Sequence, residues 1–127
     1  MKKVLIVDDD PSNLKMMSIL LKRRGFEVMV FDNPLECPIY SSPTCPCSPV
    51  SLCPDIIISD VDMPKVNGLE FVEAVVKKGC KCNHVALVTG QGLDEQKLDK
   101  AGRLNVRCFL KPLDLDEFDA WLFRAAM

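Results

Sequence analysis

Several polar residues of this 127-residue chain stand where short apolar runs stop. Asp8 and Asp9 follow KVLIV, Asp60 and Asp62 follow or close DIIIS, Thr89 closes VALV, and Lys111 closes VRCFL. If those runs are parallel strands of one sheet, their carboxyl ends share an edge, where open α/β sheets build their sites. Carboxylates crowded there repel one another unless a cation joins them. A few hard oxygen ligands with room left for water suit Mg2+ or Mn2+ better than zinc. Lysine adds a point charge and threonine a hydroxyl donor, so the set forms a cradle for a phosphoryl group.

Each residue also has a plain structural explanation. An Asp run before a helix caps it and complements its dipole. Lys-Pro after a strand is a common turn, and threonine is a good strand former. The joint occurrence at four of five strand ends is what these explanations do not supply.

The elements that must carry these residues can be read in order. Ile56-Ile57-Ile58 has no polar alternation, which indicates a strand buried on both faces, and Met63-Pro64 ends it. Further strands are expected at Lys3 to Val7, Phe26 to Phe31, Val85 to Val88 and Val106 to Leu110. Asp10-Pro11 opens a helix with Leu14, Met17, Leu20 and Leu21 on one face, ending at Arg23-Arg24-Gly25. Asn67-Gly68 opens another with Phe71, Val72, Val75 and Val76 on its apolar stripe, ending before Gly79. Leu93 to Ala101 reads as a polar helix. Asp114 and Glu117 make a capping-box-like start to a last helix carrying Leu115, Phe118, Trp121 and Leu122. This βα alternation predicts an α/β fold with a doubly wound, five-stranded parallel sheet.

Between the second and third strands the composition changes. Residues 37–54 (CPIYSSPTCPCSPVSLCP) hold five of the nine prolines and four of the seven cysteines. That proline density excludes a continuous helix, so one short turn and then a Cys/Pro-rich loop are expected where a second helix would stand. Loops before the third and fourth strands share the sheet edge opposite the carboxylates. Cys45, Cys47, Cys53, Cys80, Cys82 and His84 could therefore be neighbours in a second site, as metal ligands, disulfides or small buried apolar groups.

The length fits one domain, and 48% hydrophobic with 27% charged residues is ordinary for a globular chain. A net charge of -2 gives no sign of a nucleic-acid or membrane-surface partner. No apolar run approaches the roughly 18 residues of a membrane span, and MKKVLI passes directly into an acidic cluster rather than a signal sequence. A cytoplasmic location with reduced or metal-bound thiols is the expectation.

VLIVDDDPSN, DIIISDVDMPKVNG, VALVTG and FLKP, in this order and spacing, resemble a response-regulator receiver domain of two-component signalling along the whole chain. The resemblance implies the flavodoxin-like strand order 2-1-3-4-5 over a single domain, 1–127, with no output domain in this chain. It implies that Asp60 is the phosphoacceptor. It also implies that Asp8, Asp9, Asp60 and the Asp62 backbone carbonyl hold Mg2+, that Thr89 and Lys111 bind phosphoryl oxygens, and that the Lys111-Pro112 bond is cis. The partners implied are a sensor histidine kinase or phosphotransfer protein and a downstream protein, self-association included. The chain would catalyse its own phosphorylation and dephosphorylation without turning over an external substrate. One departure is Cys108, three residues before the lysine, where the family usually has an aromatic that rotates on activation. Two other readings compete. Asp60-Val-Asp62 matches the D-x-D of haloacid-dehalogenase-like phosphatases, although that motif should follow the first strand. The clustered cysteines admit a metal- or redox-sensing module.

Overall fold

The computed structural model of the protein describes residues 2–43, 45 and 53–126. Its elements follow the βα alternation: β1 (Lys3–Val7), α1 (Pro11–Arg23), β2 (Glu27–Phe31), a 3-10 turn (Pro34–Glu36), α2 (Pro38–Ser41), β3 (Ile56–Asp60), α3 (Gly68–Lys77), β4 (His84–Thr89), α4 (Glu95–Arg103), β5 (Val106–Leu110) and α5 (Leu115–Ala125). All pairings are parallel and the strand order is β2-β1-β3-β4-β5. The expected doubly wound sheet is therefore present, with β3 central.

Register fixes which side chains face which helices. Ile58 stands between Ile6 and Ala86, and Ile57 between Leu5 and Val85. Side chains alternate along a strand, so Ile57 joins Leu5, Val7 and Leu87 against Phe71, Val72 and Val75 of α3. Ile56 and Ile58 join Val4, Ile6 and Ala86 against α1 and α5, represented by Leu14, Met17, Leu21, Phe118, Trp121 and Leu122. A strand buried on both faces can be apolar at consecutive positions, which explains the isoleucine run. On β5, Phe109 packs edge-on against Phe118 (centroids 5.4 Å apart) and Trp121 (5.8 Å) on the α1/α5 side. Cys108 faces the α3 side.

The helix ends follow their sequence signals. Asp10 Oδ1 accepts the Ser12 amide, Asn67 Oδ1 accepts the Leu69 amide, and Gly25 and Gly79 take the left-handed conformation after α1 and α3 (φ 89° and 88°). Three expectations need correction. Val76 is 46% exposed and Leu115 51% exposed, so each lies at the margin of its apolar stripe rather than within the core. The capping box of α5 is half formed: Asp114 Oδ1 accepts the Asp116 and Glu117 amides, but the Glu117 carboxylate is taken by Arg107 at 2.5 Å.

The second helix is short, as the prolines require: α2 has four residues. Met29, which pairs with Leu5 on the face that α2 and α3 share, is consequently 39% exposed. Residues 44 and 46–52 of the Cys/Pro loop lie outside the described residues.

The turn from β3 into α3 is the tightest point of the fold. The Gly68 amide donates to Val61 O at 2.9 Å, and a Cβ on Gly68 would stand 2.1 Å from Asp60 O and 2.9 Å from Val61 Cα. These are backbone atoms and cannot rotate aside. Gly68→Ala should therefore destabilise the protein by about 2 kcal/mol or more through overpacking. Gly102→Ala is the matched control, because a Cβ there meets nothing within 4 Å, and it should stabilise by roughly 1 kcal/mol through helix propensity. Urea unfolding of both variants checks this, and equal effects of the two substitutions would refute the close-approach argument.

Candidate functional site

Every strand enters the same edge of the sheet, so its terminal residues converge there. Asp60 is the last residue of β3, Thr89 the last of β4, Lys111 follows β5, and Asp8 and Asp9 follow β1. Carboxylate oxygens of Asp8, Asp9 and Asp60 lie within 4.8 Å of one another. Lys111 Nζ reaches Asp60 Oδ1 at 3.2 Å. The Lys111 amide donates to Thr89 O at 2.8 Å, which ties the ends of β4 and β5 together. The Thr89 hydroxyl accepts the Gln91 amide at 3.3 Å. The Lys111-Pro112 bond is cis, as expected. Asp62, two residues beyond Asp60, has an exposed side chain.

Burial and charge divide the acidic residues into unlike members. Asp60 is only 6% exposed, and burial holds its carboxyl above the usual aspartate range even though the Lys111 ammonium opposes the shift. Asp8 is raised too, by burial first, against the Asp10 amide that donates to its Oδ1 at 2.9 Å, with the Asp60 charge adding to the rise. Asp9 is exposed. Two buried carboxyls and one exposed one, with Lys111 the one ammonium in ion-pair range among the described residues, leave an excess of negative charge that a hard divalent cation fits. Asp8, Asp9 and Asp60 supply oxygen ligands only, the donor set that Mg2+ takes.

Beside Asp8, Asp60 and Lys111 opens a cleft of about 340 Å³ whose wall includes Met16, Met17 and Leu113. Sequence reasoning did not find it. Its signal was the Met16-Met17 pair, of which only Met17 belongs to the buried stripe of α1.

The expected second group is assembled in part. Sulfurs of Cys45, Cys53 and Cys80 lie within 4.8 Å of one another, with Cys45 and Cys53 3.4 Å apart. Cys82 Sγ is turned to the carbonyls of His84 (3.2 Å) and Asp55 (3.6 Å). Burial pushes the Cys82 thiol up to about 12 and raises Cys80 as well, with the Cys53 and Cys82 sulfurs adding to the rise at Cys80. His84 pairs with Ile56 in the sheet and is not among the three grouped thiols. Cys47 lies outside the described residues.

The D-x-D alternative fails on position. Asp60 ends the central third strand rather than the first, and the phosphatase reading assigns nothing to Asp8 and Asp9.

Comparison with known proteins agrees with this geometry. Residues 4–122 match the response regulator receiver domain family. The chain is 27% identical to the polar-differentiation response regulator DivK of Brucella anthropi over 105 residues, covering 80% of this chain and 78% of DivK. It is 36% identical over 82 residues to hybrid signal transduction histidine kinase C of Dictyostelium discoideum, covering 60% of this chain. The chain spans only 6% of that kinase's length. It likewise spans 30% of the CpxR homolog of Haemophilus influenzae, a transcriptional regulatory protein that it matches at 32% identity over 61% of its own length. Among solved structures, the chemotaxis protein CheY4 of Vibrio cholerae superposes with a TM-score of 0.77 at 28% identity, covering 98% of both chains. No helix among the described residues is long and apolar enough to cross a membrane. With the fold, the family match and the convergent strand ends in agreement, the chain belongs to the response regulator receiver domain family, the phosphorylation-dependent signalling domain of two-component systems.

Proposed function

We propose that Asp60 is the residue that accepts the phosphoryl group, from a phosphohistidine of a sensor kinase or phosphotransfer protein or from a small phosphodonor. The observation that carries this reading is the Asp60 carboxylate at the centre of the strand-end edge, with the Lys111 ammonium 3.2 Å from its Oδ1. In the transfer, an Asp60 oxygen forms the new bond to phosphorus. The bond from phosphorus to the donor's nitrogen or oxygen breaks, and its electron pair leaves with the donor. Lys111 holds Asp60 in place and then meets the charge on the phosphoryl oxygens. Thr89, at the end of β4, offers its hydroxyl to the same group once it turns from the Gln91 amide. Asp8, Asp9 and Asp60, with the Asp62 carbonyl, would hold Mg2+ or Mn2+, which supplies charge neutralisation when bound. The phosphorylated domain then signals by contact with a downstream protein.

Acetyl phosphate should label the protein with one phosphoryl group, only in the presence of a divalent cation. Intact-mass measurement after rapid quenching should show the adduct in the wild type and in Asp62→Asn, but not in Asp60→Asn. Equal labelling of Asp60→Asn would remove Asp60 from the role.

A second expectation concerns acidity. The Asp60 and Asp8 carboxyls are raised in the fold, mainly by burial, so their charged forms are disfavoured there relative to the unfolded chain. That penalty is fully present above the folded pKa and fades as pH falls towards the unfolded one. In chelator-treated protein, Asp60→Asn should therefore raise the melting temperature by a few degrees at neutral pH, with the gain shrinking on acidification. Mg2+ should raise the wild-type value by mass action. A gain that grows as pH falls would contradict the sign.

The last expectation concerns signal output. Cys108 is small, and Phe109 is held on the other face by Phe118 and Trp121, so β5 offers no aromatic to swing. Helix α4 is weakly held, with Ala101 its one buried residue and Leu98 exposed. Addition of beryllofluoride with Mg2+ should change amide exchange more in Glu95–Arg103 than in residues 106–110. The reverse ranking would show that β5 itself carries the switch.

A further inference from the structure

At the opposite end of the sheet from the carboxylates, three thiols face one point. Cys45 precedes β3 in the proline-rich segment, Cys53 stands three residues before β3, and Cys80 precedes β4. Their sulfurs are mutually within 4.8 Å, and the Cys45 and Cys53 sulfurs are 3.4 Å apart. We propose that Cys45, Cys53 and Cys80 form a thiolate site for a soft divalent ion of the Zn2+ type, with Cys82 completing it as the fourth ligand.

The spacing, 3.4 Å for one pair and within 4.8 Å for all three, accommodates ligands around an ion. Zinc holds thiolates at about 2.3 Å in a tetrahedron, which puts sulfurs roughly 3.8 Å apart. A disulfide needs about 2.05 Å between two sulfurs and leaves the third without a role. The common limit of 4.8 Å among the three sulfurs leaves room for an ion between them.

The backbone holds these residues independently of the thiols. The Cys45 amide donates to Lys78 O at 2.8 Å, fastening the loop to the end of α3, and the Cys80 amide donates to Val75 O at 3.4 Å. Cys53 is buried. Lys78 in turn donates its ammonium to Tyr40 O and stands 4.9 Å from the centre of the Tyr40 ring, which ties α2 to the same corner. Ligands fixed in this way lose little freedom on binding.

Cys82 follows Cys80 by two residues, and its thiol donates to the His84 carbonyl at 3.2 Å and lies 3.6 Å from the Asp55 carbonyl. Its charge is felt by the Cys80 thiol, and as fourth ligand it would give up those carbonyl contacts for the metal. Thiolates select soft ions and carboxylates hard ones, so the two ends of the sheet discriminate by chemistry. The strand between them, β3, spans about 17 Å at the usual rise per residue.

Co2+ titration of reduced, oxygen-free protein tests the site without involving phosphotransfer, because thiolate-to-cobalt charge-transfer absorption does not arise from carboxylates. One Co2+ per chain should give that absorption in the wild type, in Asp60→Asn and in Cys108→Ser, and Zn2+ should displace it. Cys45→Ser and Cys80→Ser should each weaken Co2+ affinity at least tenfold, and Cys82→Ser should lower the absorption per bound ion. Circular dichroism of each variant separates loss of a ligand from loss of fold. Absence of the band in folded, reduced wild type would overturn the proposal. So would a band indifferent to Cys45→Ser and Cys80→Ser, or conversion of the protein to a Cys45–Cys53 disulfide that takes up no ion after reduction. A band unchanged in Cys82→Ser would overturn its place as fourth ligand.

Discussion

The structure depends on keeping a charged aspartate at the end of its most buried strand. Asp60 is 6% exposed and follows three isoleucines packed on both faces. A carboxylate in that setting is stabilised only by what surrounds it, and Lys111 is the one cation within ion-pair distance among the described residues. Lys111 is held by its own backbone, whose amide bonds Thr89 O at the end of β4. The site is therefore assembled by strand pairing: register along β1, β3, β4 and β5 sets where each functional group arrives. The fold tolerates a raised carboxyl there because the rest of β3 is so thoroughly packed.

Much of this was legible because the relevant signals are local. Ile56 to Ile58 marks a doubly covered strand by the absence of alternation, and each polar strand end is written directly after its apolar run. Helix ends marked by Asp10, Asn67, Gly25 and Gly79 have their causes within two or three residues. What escaped depends on partners distant in sequence. Val76 and Leu115 continue their helical stripes, but the width of a buried face is set by the neighbouring sheet rather than by periodicity. Glu117 has the right spacing for a capping box, yet Arg107 on the adjacent strand takes its carboxylate. The cleft beside Met16 and Met17 exists only once α1 is laid against the segment after Pro112.

The thiol group shows the same limit from the other side. Topology alone places the loops before β3 and β4 together, so a meeting of cysteines could be anticipated without knowing which ones meet. Side-chain direction decides that: Cys80 turns towards Cys45 and Cys53, while Cys82 turns towards the carbonyls of Asp55, just before β3, and of His84 in β4. Two residues apart on the same stretch, their thiols have different hydrogen-bond and grouping partners. The family pattern is of no help here, because it concerns the carboxylate edge.

Gly68 links the chemistry to mechanics. Its Cα lies so near the Asp60 carbonyl that no side chain separates the start of α3 from the backbone of β3. Side chains ordinarily absorb small shifts by changing rotamer, and backbone in direct contact with backbone has no such slack. A displacement of the Asp60 main chain is therefore passed to the first turn of α3 almost undiminished, as through a rigid strut. The opposite end of that helix carries Lys78, whose carbonyl receives the Cys45 amide. The two edges of the sheet are thus joined by one stiff rod running alongside β3.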